Sequence, residues 1–142
     1  MRLPYDILAP DGLKALGGVY AYVSRCGLEK ALVDLAYLCV RYHLSAVEFR
    51  GLGGLDPAAL QIPSEAECVA DYCRRRGRAP VAAQDWTYYL AFNMFRLAGI
   101  LQGVLARAIQ GNASSVTALE AGRRARPLAE QAWDLVQQSF DA

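Results

Sequence analysis

One histidine in 142 residues, His43, leaves almost no material for imidazole chemistry. There is no C-x-x-C pair. Cys68 and Cys73, five residues apart, would stand about 140° apart around a helix, which is poor geometry for sharing a metal. Excess charge of one sign is also missing. Fifteen Lys and Arg against fourteen Asp and Glu give a net charge of +1, so there is no electrostatic case for nucleic acid or an anionic membrane as partner. The run Arg74-Arg75-Arg76 with Arg78 is the local exception, and it reads as cations gathered at a helix C-terminus. A membrane span wants about 20 nearly uncharged apolar residues. The most apolar stretch, 86–109, is interrupted by Asn93, Arg96, Gln102 and Arg107 and reads as a buried helix. Period-two alternation is absent, so no strand is predicted. Met1-Arg2-Leu3-Pro4-Tyr5 contains no apolar signal region, which leads us to expect a soluble, cytoplasmic protein whose Cys26, Cys39, Cys68 and Cys73 are free thiols.

What the sequence does have is helix-forming apolar residues: 54% of the chain is hydrophobic and only 20% charged, which suits packed helices in one domain. Asp11 as N-cap, apolar residues at Leu13, Leu16, Val19, Tyr20 and Val23, and a stop at Gly27 predict a helix over 12–25. A second follows over 29–42, with Leu32, Leu35, Ala36, Leu38 and Cys39 on its apolar face. From 45 to 63 the pattern dissolves into Gly51, Gly53, Gly54 and Asp56-Pro57, with a short helical turn expected at 56–60. A loop this long is a candidate binding loop. Ser64-Glu65-Ala66-Glu67 has the form of a capping box, in which each end residue satisfies the other's amide, and it starts a helix that stops at Gly77. Residues 78–84 form a Pro-containing connector. Asp85 is the expected cap of the longest helix, 86–110, apolar around most of its circumference and therefore central. A last helix runs over 115–140, with Pro127 kinking or splitting it. The expected fold is all-α, a bundle of about five helices.

From Asp34 onward the sequence resembles the C-terminal helical part of the aminoglycoside phosphotransferase family, in the branch related to the kinase-like domain of acyl-CoA dehydrogenase family members ten and eleven. The resemblance rests on Asp34-Leu35-Ala36-Tyr37-Leu38, on GLGGLDPAAL and IPSEAECVADY within 51–72, on YCRRRGRAP at 72–80 and on YYLAFNMFRLAGILQGVLARAIQGNASS at 88–115. It covers about three quarters of the chain and implies the C-terminal subdomain of a protein-kinase-like fold. Residues 2–38 are similar instead to the first two helices of the carboxymuconolactone decarboxylase and alkylhydroperoxidase D family. The change-over falls at VDLAYL, which divides the single domain 1–142 into an N-terminal hairpin, 1–33, of possible separate origin and a phosphotransferase-like part, 34–142.

Intact members of the phosphotransferase family use ATP and magnesium, and the reaction needs a positioning carboxylate, metal-binding acids and a lysine on the phosphates. Here there is no H-x-D-x-x-x-x-N loop and no D-x-E or D-W-E string after it. No catalytic residue, metal site or cofactor is therefore expected in this chain. Asp34 matches a family aspartate just after the metal site, where a bracing role is expected. The alkylhydroperoxidase half lacks its C-x-x-C, and Cys39 with His43, four residues on, is the one Cys/His arrangement available.

The family's long helix walls the acceptor cleft, so Trp86, Tyr89, Asn93 and Arg96, spaced along one helix face, are the expected ligand-facing residues. The alternative for Arg96 is an internal partner carboxylate. Three functions are weighed: a non-catalytic substrate lobe with a site for an acyl-CoA-like or hydroxylated small molecule, a helical module that self-associates through exposed apolar faces into a homo-oligomer, and a degenerate peroxidase using Cys39.

Overall fold

A computed structural model describes residues 29–140 of the chain. Helix α1, Lys30–His43, buries Leu32, Val33, Ala36, Cys39 and Val40, the spacing of a single helical stripe. Asp34 sits on the opposite, exposed side in an i,i+4 pair with Lys30 at 2.7 Å. The predicted helix over 12–25, and Cys26, lie outside the described residues.

The 44–64 excursion is more ordered than its glycines suggest. Ser45 caps a four-residue helix, α2, Ala46–Phe49, accepting from the amides of Val47 and Glu48. The sequence reading missed this turn because one capping serine and four residues carry no periodicity. The chain then folds back on the end of α1: the amide of Leu52 donates to the Arg41 carbonyl at 2.7 Å and that of Gly53 to the Leu44 carbonyl at 2.8 Å. Gly51 is required at this crossing, since a Cβ there would overlap the Leu44 carbonyl group. The expected turn at 56–60 is present, with Asp56 Oδ1 accepting from the Ala58 amide. The Tyr42 hydroxyl donates to the Pro63 carbonyl at 2.7 Å and ties down the end of the excursion.

Helix α3, Glu65–Arg76, opens on the expected capping box between Ser64 and Glu67 and closes on Gly77 in the left-handed region at φ 60°. The amides of Gly77 and Arg78 reach back to the carbonyls of Arg74 and Cys73, satisfying acceptors the helix end would leave open. Helix α4, Ala83–Ile109, begins three residues before the sequence reading placed it. Its N-cap is the extended Ala82, and Asp85 lies in the first turn, where its charge suits the helix dipole.

Two further helices complete the described part: α5, Ala118–Arg123, and α6, Ala125–Phe140. The expected split in the last helix is real, but it falls at Arg124. Pro127 then occupies the first turn of α6, where its missing amide is not needed.

The core is built around α4, on which α1, α5 and α6 all pack. Tyr89, Leu90, Met94 and Ala98 of α4 meet Leu32, Ala36 and Val40 of α1, with Leu128 and Ala132 of α6 completing the cluster. Asn93, wholly buried, pins α1 to α4: its Nδ2 donates to the carbonyls of Val33 and Tyr89, each at 2.9 Å. By length and composition α4 could cross a membrane, and 33% of its most apolar stretch is buried in this fold.

A Gly51→Ala variant should lose about 1–3 kcal/mol of stability, the usual cost of overpacking, measured by urea unfolding. Stability equal to the parent would show that the crossing over Leu44 is not tight.

Candidate functional site

A cavity of about 530 Å³ lies between α3 and the start of α4. That is the range of small-molecule sites. Ala66, Val69, Ala70 and Cys73 of α3 form one wall, at positions i, i+3, i+4 and i+7 of a single apolar stripe. Trp86, Val81 and Pro80 form the facing wall. Glu65 lies at the start of the α3 wall and Arg74 and Arg78 near its end.

Glu65 is the organising group. Its Oε1 accepts from Trp86 Nε1 at 3.0 Å, and its Oε2 meets His43 Nε2 at 2.8 Å. One carboxylate thus holds the tryptophan ring against the cavity and fastens the start of α3 to the end of α1. The backbone of His43 is held in turn by Gln131 of α6, whose Nε2 donates to its carbonyl at 2.5 Å. The arginines are placed differently from one another. Arg74, Arg75 and Arg76 are exposed, as their position at a helix end implies, and Arg74 and Arg75 share the Asp71 carboxylate. Arg78 is half-buried instead, its Nη1 on Glu29 Oε2 at 2.5 Å. Desolvation opposes its charge, but the Glu29 carboxylate and the Tyr72 hydroxyl outweigh that and hold its pKa above the ordinary value.

Of the four residues expected to face a ligand, only Trp86 lines this cavity. Tyr89 is buried in the core, its hydroxyl accepting from the Glu29 amide at 3.1 Å. Asn93 lies at the α1–α4 contact described above. Arg96 is exposed, its guanidinium 5.8 Å from the ring centroid of Tyr37, a cation–π arrangement in place of the carboxylate pairing considered for it. The α3 stripe was readable as i, i+3, i+4, i+7. On a helix such a stripe ordinarily means core, and the sequence accordingly puts Val69 and Cys73, with Cys68 and Tyr72, on an inward face.

Cys39 is fully buried, and its thiol is pushed up to about 12, by burial first and then by Glu65 and Cys68. A peroxidatic cysteine needs the reverse, and His43 is committed to Glu65. Among the described residues no group of three or more His, Cys, Asp or Glu is placed to hold a metal ion.

No family model matches the chain. It is 42% identical over 135 residues to mouse acyl-CoA dehydrogenase family member 10, covering 94% of this chain and 12% of that protein. With mouse acyl-CoA dehydrogenase family member 11 it is 36% identical over 100 residues, 70% of this chain and 13% of that one. A Ralstonia eutropha crystal structure assigned as an aminoglycoside phosphotransferase superposes with a TM-score of 0.69 at 50% identity, over 75% of this chain and 32% of its own. The chain is a helical domain of the aminoglycoside-phosphotransferase-like fold. It is related to the kinase-like region of acyl-CoA dehydrogenase family members 10 and 11, and it spans only about an eighth of the first two relatives' length. Nothing in these similarities bears on the resemblance of residues 2–38 to the carboxymuconolactone decarboxylase family.

The raised thiol of Cys39 has a consequence for this phosphotransferase-like lobe. Because the folded state holds the proton more tightly, the stability it contributes is present below its ordinary value of 9.0 and is lost as pH rises toward about 12. Tyr42, raised from 10.0 to about 12 chiefly by its hydrogen bond with Cys68, acts in the same direction. Thermal midpoints should fall above pH 9.0, with a shallower alkaline limb in Cys39→Ala. Identical limbs in parent and variant would contradict the assignment.

Proposed function

We propose that this chain is the acceptor-binding helical lobe of a phosphotransferase-like kinase, a ligand-binding piece without its own phosphoryl-transfer parts. The cavity between α3 and α4 carries this reading. It has small-molecule size, one aromatic and several apolar walls, and charged groups confined to its ends. The ligand class it suits is an acyl-CoA-like thioester or another hydroxylated small molecule bearing negative charge. Aminoglycosides, the acceptors named for the Ralstonia eutropha relative, are polycations, and Arg74 and Arg78 would repel them. With a net charge of +1, nucleic acid is no partner in this reading, and a soluble, cytoplasmic protein is its setting.

A second reading rests on a different surface. Tyr37 and Leu38 of α1 and Tyr88, Phe95, Ile100 and Ile109 of α4 are large apolar side chains left exposed. Surfaces of this kind support self-association, and a homo-oligomer would cover them. A monomer by sedimentation at high micromolar concentration would dispose of that reading.

The ligand reading is tested by thermal unfolding followed at 222 nm, with and without a series of acyl-CoA thioesters and with magnesium-ATP. A thioester at a hundred times its Kd should stabilise the fold by about 2.7 kcal/mol and raise the midpoint accordingly, while magnesium-ATP should leave it unmoved. A rise with magnesium-ATP alone would overturn the reading.

A further inference from the structure

We infer that the α3–α4 cavity takes an amphiphile with one anionic group in a fixed orientation, the anion at Arg74 and Arg78 and the apolar body along Val69 and Trp86. This rests on the cavity being the ligand site, and adds what the ligand is and which way it lies. The two ends of the cavity are not equivalent. At the α3 start, both oxygens of Glu65 are already engaged, one by Trp86 and one by His43. A ligand group reaching that end gains no open partner from this carboxylate and meets a like charge if it is an anion.

The α3 end carries the opposite sign, and in excess. Arg74 and Arg75 share a single carboxylate, Asp71, and Arg78 has Glu29, so three guanidiniums face two carboxylates. The side chain of Arg74 is 77% exposed, free to swing onto a ligand at little cost. The Nε of Arg78 is buried without a hydrogen bond of good geometry, beside the Tyr72 hydroxyl that interacts with this guanidinium, so it gains from a better acceptor that reaches it. The carbonyls of the helix end do not compete for these cations, because the Gly77 cap has already taken those of Cys73 and Arg74. Between the ends, nine residues of helix from Glu65 to Arg74 span about 14 Å, walled by Val69 and Trp86 without a further charge. Positive charge at one end, and at the other a carboxylate whose oxygens are already engaged, on an apolar slot of 530 Å³, select a small molecule with one anionic head and an apolar body.

The test uses Trp86 as reporter. The protein has two tryptophans, so a Trp133→Phe background leaves Trp86 alone in the cavity wall. Decyl phosphate, decanol and decyltrimethylammonium are titrated below their micelle concentrations. The inference expects decyl phosphate to shift Trp86 emission with a Kd about tenfold or more below that of decanol, and the cation to bind weakest. Arg74→Gln and Arg78→Gln should each weaken decyl phosphate and leave decanol unchanged. Arg74→Gln alters only an exposed side chain, so it remains informative if loss of the Glu29 contact unfolds the Arg78 variant. Equal affinity for the phosphate and the alcohol, or no effect of Arg74→Gln, overturns the orientation while leaving the cavity a binding site. No response of Trp86 to any probe or to the thioesters overturns both.

Discussion

The carboxylate of Glu65 accepts from Trp86 of α4 with one oxygen and meets His43 of α1 with the other, and α3 depends on that junction for its position. Helices α1 and α6 pack on α4 through apolar faces, and the short α5 through Ala118 and Gly122. Helix α3 does not: Cys73 is its one buried residue, and Cys68 and Tyr72 are its partly buried contacts with the core. Its remaining ties are polar and sit at its ends: Glu65 at the start, the Tyr42 hydroxyl against Cys68 one turn on, and Arg78 on Glu29 just past the stop. A helix held by polar bonds near its ends, with only Cys68, Tyr72 and Cys73 packed on the core between them, leaves space beside it. That space is the cavity, and its apolar stripe is what α3 would otherwise have buried.

The same arrangement separates stability from function within the chain. Helix α4 gathers the core through Tyr89, Leu90, Met94 and Ala98, and the buried Asn93 fixes how α1 lies on it. Those residues set the frame. The cavity draws on the first turn of α4, through Ala83 and Trp86, and on α3 and its connector, meeting the core only at its edge through Trp86, Val81 and Cys73. Under the function proposed above, acceptor recognition would fall to this cavity, with the charge at the end of α3 as its means.

Much of this was legible in the sequence, where local rules bind tightly. The Ser64–Glu67 capping box, the Gly77 stop and the turn at Asp56 each depend on residues within about one helical turn of one another, and each is found where the spacing implies. The failures share a cause. Asp85 is a good capping residue, but the extended Ala82 placed the helix start three residues earlier, and propensity cannot see such a backbone choice. Trp86, Tyr89, Asn93 and Arg96 do share a broad face, but that face is wide enough to run from cavity to core to solvent. Which part meets which neighbour depends on α1 and α3, elements outside the helix whose periodicity is read. Glu65 was read only as the residue after a cap. Its long-range partners His43 and Trp86, 22 and 21 residues away, leave no mark in local pattern.

If Glu65 is what seats α3, its removal should loosen that helix and little else. Amide hydrogen exchange of a Glu65→Ala variant against the parent reads this directly, since local opening and global unfolding leave different patterns. The account predicts exchange faster by about tenfold or more across α3, with the amides of α1, α4 and α6 keeping their protection. Unchanged protection in α3, or an equal loss across all four helices, would contradict it.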